Sequence, residues 1–199
     1  MNTPKAKRSL GQLPLVYPQP ALLVGTYDQN GKANMMLAAW GGICSSDPLS
    51  VMVAIRPQRW TYEALLARKA FTVCIPPEKL AVQADFLGLA SGRKYDKLAL
   101  AGLTALKAEK VDAPYLDECP VALECALTQS VEVGAHTMMI GSILDVKVDE
   151  SCLVRDENGK FKPDIHKIAP LIYDSGSNAY YGIGARLGDA FSIGKKYMK

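Results

Sequence analysis

Apolar residues along this chain fall into short runs with strand periodicity, separated by polar and glycine-containing reversals. The runs Ala21–Tyr27 and Ala33–Trp40 flank an Asn30-Gly31 pair. Asn-Gly supplies the positive φ that a two-residue reversal needs, so the two runs are predicted to pair as a hairpin. A small and hydroxylated stretch follows, holding Gly41, Gly42, Ser45 and Ser46, and then a third apolar run, Ser50–Ile55. Arg56, Arg59 and Thr61 close that run, so two guanidinium groups and a hydroxyl gather where a strand gives way to a helix. Such a set suits an anion.

Downstream, Thr61–Lys69 has a helical composition, with Leu65 and Leu66 as core positions, and Phe71–Ile75 is a β-rich run stopped by Pro76-Pro77. Glu78 to Leu89 reads as a second helix. It leads into the polar loop Ser91-Gly92-Arg93-Lys94-Tyr95-Asp96-Lys97. A charged run is ordinarily a solvated face, but here Ser91 and Gly92 stand beside the cations and add hydroxyl and backbone donors able to wrap a phosphate. Val121–Val133 and Met138–Val148 are predicted as two long strands of a meander, with Gly134, Ala135 and His136 at the reversal. In the first, Cys125 alternates with Leu123 and Leu127 as a core-facing residue does. In the second, Leu144, Val146 and Val148 alternate with Asp145, Lys147 and Asp149, the pattern of a sheet with one wet face. The tail is predicted to be extended around Pro163–Pro170, followed by Tyr180-Tyr181-Gly182-Ile183-Gly184 and a basic end at Lys195, Lys196 and Lys199.

A length of 199 residues and 49% hydrophobic content fit one domain with a substantial core. The 23 basic and 20 acidic residues leave a net charge of +3, too balanced for a nucleic-acid footprint. Residues 1–18 carry Lys5, Lys7 and Arg8, but the leucines after them are broken up by prolines, unlike a signal peptide. Met35 to Cys44, the longest nearly apolar run, falls far short of the ~20 residues that cross a bilayer. A soluble, cytoplasmic protein is the expectation. The five cysteines, Cys44, Cys74, Cys119, Cys125 and Cys152, contain no C-x-x-C pair and read as buried small hydrophobes. A zinc site from Cys119, Cys125 and His136 lacks ligand-pair spacing, and no metal is expected. Gly182-Ile183-Gly184 with Gly188 imitates a dinucleotide fingerprint, yet too little chain follows for a βαβ unit. The chain carries no P-loop, no G-x-S-x-G elbow and no H-E-x-x-H.

Several segments together carry a resemblance: P-ALLVGT-D-G-AN-M-AAW-GI-SSDP, RPQRWTYE, FTVCIP, AD-LG-ASGRKYDK, VDAP-L-EC-ALEC and GAHTM-IG-I, in this order and spacing. The chain resembles the flavin reductase-like, FMN-binding split-barrel family, and within it the flavoredoxin branch. The resemblance implies a mainly β fold, an antiparallel split β-barrel of Greek-key type with a few peripheral α-helices. It further implies a single domain over 1–199, with 1–18 as an N-terminal extension, and a homodimer that binds FMN at the subunit interface. By the same analogy Asn34, Ala38, Ala39, Trp40, Ser45 and Ser46 lie along the flavin, although Asn34 alone reads as a strand-edge residue and Trp40 as a core aromatic. The phosphate would be held by Arg56, Arg59, Thr61, Ser91, Gly92, Arg93 and Lys97. Tyr181, with Tyr180, would cover the ring or pack in the barrel. His136 would stand near the ring as the catalytic candidate, a hydrogen-bonded structural role being the other reading; His166 lies in a polar, lysine-flanked tail.

The function implied is an FMN-dependent oxidoreductase that passes electrons between NAD(P)H, or an electron-transfer protein, and bound flavin. A flavin-binding carrier or storage protein that never meets a nicotinamide donor is the alternative. A split-barrel protein for haem or pyridoxal phosphate is a third reading; the two phosphate-suited segments speak against haem.

Overall fold

The computed structural model describes residues 5–198. Two short strands open the chain, β1 (Gln19–Pro20) and then β2 (Leu22–Tyr27), and β2 forms a hairpin with β3 (Ala33–Ala38). The reversal takes three residues rather than the expected two. Gly31 N–H donates to the Asp28 carbonyl at 3.1 Å and Asp28 N–H to that of Lys32 at 2.9 Å, while Gly31 takes φ 80°. The Asp28 carboxylate selects this wider turn, because it accepts from the N–H groups of both Asn30 and Lys32 at 2.8 Å.

A second hairpin joins β4 (Gly41–Ser46) to β5 (Leu49–Ile55), after which α1 (Trp60–Arg68) leads to β6 (Ala70–Ile75). The stretch predicted as one helix from Glu78 is a 3-10 turn, Glu78–Leu80, running into α2 (Ala81–Leu89). A short α3 (Lys97–Ala101) is capped by Asp96, whose carboxylate accepts from Ala99 N–H at 3.3 Å. Then come the small pair β7 (Ala105–Lys107) and β8 (Pro114–Leu116) and the long hairpin β9 (Val121–Val133) and β10 (His136–Val148). Gly134, at φ 55°, leads a two-residue reversal in which His136 pairs with Val133. His136 is therefore the first residue of β10, two positions before the predicted start of that strand.

The tail holds β11 (Leu153–Arg155), β12 (Phe161–Pro163), α4 (Ile165–Ile168), β13 (Ile172–Asp174) and β14 (Ala179–Tyr181). The extended conformation predicted around Pro163–Pro170 gives way at α4, because the Asp164 side chain accepts from His166 N–H at 2.9 Å and starts a helical turn. β13 pairs with β1 and β14, so the tail returns to the start of the domain.

Seven strands make one antiparallel sheet in the order β3-β2-β6-β9-β10-β5-β4. Its two edges, β3 and β4, are consecutive in the chain and are joined through Ala39 and Trp40, with the Trp40 carbonyl accepting from Ala54 N–H at 2.8 Å. The sheet is thus a barrel left open along a seam, and the seam is where the site lies. Val24, Val53, Phe71, Cys125 and Met139 fill one face, while Leu23, Met35, Cys74, Leu87 and Leu116 fill the other beneath α2. Gly25 lets β2 run close to its neighbours; a Cβ there would fall on the Pro114 carbonyl and the Thr72 hydroxyl.

One stretch departs from the alternation. The predicted wet face of β10 is reversed: Leu144 and Val146 are exposed, whereas Lys147 reaches Glu109 at 2.9 Å and the fully buried Glu124 at 3.4 Å. A bulge between Ile143 and Asp145 shifts the register there, and the buried carboxylate of Glu124 draws the lysine inward.

Candidate functional site

The turn between β5 and α1 delivers Arg56 and Arg59 to the seam. α1 starts with no side-chain cap, so the N–H groups of its first residues, Trp60 and Thr61, have no partner within the helix. Opposite them the α2–α3 loop brings Ser91 and Gly92, and β3 brings Asn34. Thr61 and Asn34 are both buried, and Asn34 Nδ2 donates to Thr61 Oγ1 at 3.3 Å. Gly92 is required for this closeness: a Cβ would stand 2.7 Å from Asn34 Oδ1. Together with Lys97 these residues line a cavity of about 390 Å³.

Lys97 is 4% exposed and its ammonium donates to the carbonyls of Met35 and Leu87. Two of its three donors are thus spent on backbone, leaving one for the cavity. Burial, and then the neighbouring Arg59, bring its pKa down to about 8. The cavity carries a concentration of positive charge and donors with no carboxylate among its lining residues. It can hold a phosphate-sized dianion.

A second cavity, of about 180 Å³, shares Met36, Arg56 and Arg59 with the first, so the two form one groove. Its walls are Ala38, Ala39, Trp40, Ile55 and His136. Because β3 is an edge strand, alternate residues turn their backbone groups away from β2; Lys97 takes the outward carbonyl of Met35, and Leu37 follows in the same sense. The groove therefore runs from a cationic end to an apolar end bordered by backbone donors and acceptors. The Trp40 and His136 rings lie at the seam with centroids 4.8 Å apart. Burial, then Arg56, hold the pKa of His136 below the usual histidine value.

Of the residues singled out in the sequence, Asn34, Arg56, Arg59, Thr61, Ser91, Gly92 and Lys97 meet at the cationic end, and Ala38, Ala39, Trp40 and His136 at the apolar end. Four stand apart. Ser45 and Ser46 lie on β4, where Ser45 Oγ accepts from Asp47 N–H at 3.3 Å and serves the turn. Arg93 is not among the residues lining the cavity; it donates to the Gln58 carbonyl at 3.2 Å and to Glu63 at 3.0 Å and so ties the loop to α1. Tyr181 is exposed on β14, and its neighbour Tyr180 is the one that turns inward, donating to Asp85 at 2.9 Å. Met36, Gln58 and Trp60, none of them expected from the sequence, also line the groove; Gln58 and Trp60 sit inside the arginine-bearing segment, the signal that marks them. Cys119 and Cys125 belong to different core clusters and His136 to the seam, so these three do not gather. Among the described residues no helix is long and apolar enough to cross a membrane.

The model of the flavin reductase like domain matches residues 15–180. The chain is similar to the solved flavoredoxin of Desulfovibrio vulgaris (Miyazaki F), 46% identical, with a TM-score of 0.89 over 96% of this chain and 100% of that one. An uncharacterized protein of Archaeoglobus fulgidus is 35% identical over 58% of this chain, which spans 65% of that relative's length, just under two thirds. The FMN reductase (NADH) RutF of Pseudomonas syringae pv. syringae is 28% identical over 63% of this chain and 67% of its own length. With the domain model covering most of the chain and the open barrel shared with such neighbours, this protein belongs to the flavin reductase-like family.

Proposed function

We propose that the chain is an FMN-binding oxidoreductase that carries electrons between a donor, a reduced nicotinamide or an electron-transfer protein, and an acceptor. The observation that carries this is the groove with two unlike ends: clustered cations and hydroxyls at one, an open strand edge with apolar walls at the other. The donor set fits FMN. Arg56, Arg59, Thr61, Ser91 and the third donor of Lys97 would hold the terminal phosphate, and Gly92 keeps the cradle open by having no side chain. The outward backbone groups of Leu37 would meet the polar edge of the ring, and Ala39, Trp40 and His136 would border it. Bound FMN would supply the redox chemistry. The residues of this chain fix its orientation, exclude water from the ring and set the local charge.

The exposed apolar residues Ile43 on β4, Leu49 on β5 and Leu144 on β10, with Trp40 at the seam, support a homodimer. The five free cysteines, four of them buried, suit a reducing compartment such as the cytoplasm. The test is anaerobic mixing of FMN-loaded protein with NADH, NADPH and a reduced ferredoxin in turn. Bleaching of the flavin at a useful rate by one of them names the donor; a carrier that none of them reduces overturns the oxidoreductase reading.

A further inference from the structure

Two thiols meet in the core beneath α2, and the chemistry proposed for the groove uses neither. Cys74, on β6, is fully buried, and Cys119, in the turn between β8 and β9, is nearly so; both pack in the cluster that holds Leu87 and Leu116. The two side chains are hydrogen-bonded to one another, and each is the strongest influence on the other's proton. Donation from one S–H eases loss of the first proton, and the second becomes correspondingly harder to remove. Cys125, although on the neighbouring strand β9, belongs to the other core cluster. One member of the pair can be reached from outside. Cys119 forms part of the wall of a cavity of about 200 Å³, together with Tyr115, Asp117, Ala122 and Lys147. Cys74 is not among the lining residues, so a small reagent entering there meets Cys119 alone.

We propose that Cys74 and Cys119 are a two-electron redox pair, closed to an intramolecular disulfide by hydrogen peroxide that reaches Cys119 through this cavity. The Cys119 sulfur attacks one peroxide oxygen and the O–O bond breaks; the other oxygen takes the thiol proton and leaves as water, which makes Cys119 a sulfenic acid. The Cys74 sulfur then attacks that of Cys119, the S–O bond breaks, and the hydroxyl leaves with the Cys74 proton as a second water. Two thiols have lost two electrons and two protons, and one peroxide has become two waters. The placement of the sulfurs allows the bond to close. Cys74 is held in the ladder opposite Ala122, whereas Cys119 stands in a turn that can shift toward it without breaking the pairing of β6 with β9. The loop so closed, residues 75–118, carries α2, Ser91, Gly92 and Lys97, so oxidation would tether the cationic end of the groove to the barrel. The inference goes beyond the proposed function and requires no bound flavin.

The test is mass spectrometry of the folded, full-length chain after treatment with hydrogen peroxide. Cys44→Ser is used as the parent, because Cys44 is the exposed thiol and would cross-link chains to one another. Remaining thiols are alkylated in denaturant, and the chain is cleaved after glutamate, which parts Cys119 from Cys125 at Glu124. The expected result is an intact mass lower by about 2 Da, two alkylations fewer, and a peptide joining Cys74 to Cys119, all reversed by dithiothreitol. The oxidised chain should unfold about 5–10 °C higher than the reduced one, since the bond closes a long loop. In Cys74→Ser, Cys119 should stop at the sulfenic or sulfinic acid; in Cys119→Ser, Cys74 should be oxidised at least about tenfold more slowly than in the parent. The parent's peptide map decides the matter even if a variant folds poorly. A bond from either sulfur to Cys125 or Cys152 overturns the proposal, as does oxygen addition without a joined peptide. So does a bond that forms only once the chain is unfolded.

Discussion

The indole of Trp40 and the imidazole of His136 lie with ring centroids 4.8 Å apart and planes tilted by 36°, one from the link between the barrel's edges and the other from the first position of β10. The contact shields the imidazole, and Arg56 adds a like charge, so the neutral ring is favoured near pH 7. His136 therefore meets its surroundings as a neutral donor and acceptor rather than as a cation.

This is measurable, since the chain has only two histidines. Proton resonances should show His136 titrating below about 6.5, the unperturbed value, with Arg56→Ala and Trp40→Ala each moving it upward. The folded pKa lies below the unfolded one, so as pH falls through about 6.5 the unfolded chain takes up the proton first and stability is lost. His136→Gln should remove that loss. A wild-type His136 titrating at or above the free value would refute the assignment.

The two arginines are expected to discriminate by phosphate. Arg56→Ala with Arg59→Ala should weaken FMN by about 10- to 100-fold, the range of two charge-assisted contacts at a partly solvated site. Riboflavin, which lacks the phosphate, should change by no more than about threefold. Fluorescence titration of both ligands decides it, and equal losses would make the arginines structural.

Sharing of the groove between subunits would link ligand to assembly. FMN should then shift the monomer–dimer equilibrium toward dimer, because a ligand that prefers the assembled state stabilises it by mass action. Ile43→Asp together with Leu144→Glu, both at exposed positions, should give a monomer with weakened FMN binding. Sedimentation of a dilution series with and without FMN tests this; a monomer with wild-type FMN affinity would rule the shared groove out.

Those exposed residues also show where the sequence stops being legible. The hairpins, the helix after Arg59 and the phosphate-suited segments follow from local periodicity and turn chemistry, which act over a few residues. The inward turn of Lys147 does not, because its partner Glu124 sits on another strand and a bulge at Leu144 decides the facing. Nor do the contacts of Arg93 with Gln58 and Glu63, since those partners lie 35 and 30 residues away in the chain. Tyr180 and Tyr181 are indistinguishable by composition; the pairing of β13 with β14 alone determines which one turns to Asp85. The seam itself is a property of sheet order, with β3 and β4 adjacent in the chain and at opposite edges of the sheet.

Lys97 gives the site a second pH dependence, of opposite direction for fold and ligand. Its folded pKa of about 8 lies below the ordinary lysine value of 10.5, since burial and Arg59 disfavour the ammonium. Between those values the unfolded chain still holds the proton that the native chain has released. Stability of the FMN-free protein should therefore gain from this residue as pH rises from about 8 to 10.5, and the gain is absent below 8, where both states are protonated. FMN binding runs the other way. Its phosphate is essentially a dianion above pH 7, with a second pKa of about 6, and attracts the ammonium but not the free amine. FMN affinity should fall as pH rises through 8, while riboflavin affinity stays level, and binding at pH 8.5 should take up protons from the buffer. Calorimetry in two buffers of different ionisation enthalpy measures that uptake directly. In Lys97→Met the pH dependence of the FMN-to-riboflavin ratio should vanish. A ratio that is flat from pH 7 to 9.5 in the wild type would mean that the ammonium serves only the Met35 and Leu87 carbonyls and does not touch the phosphate.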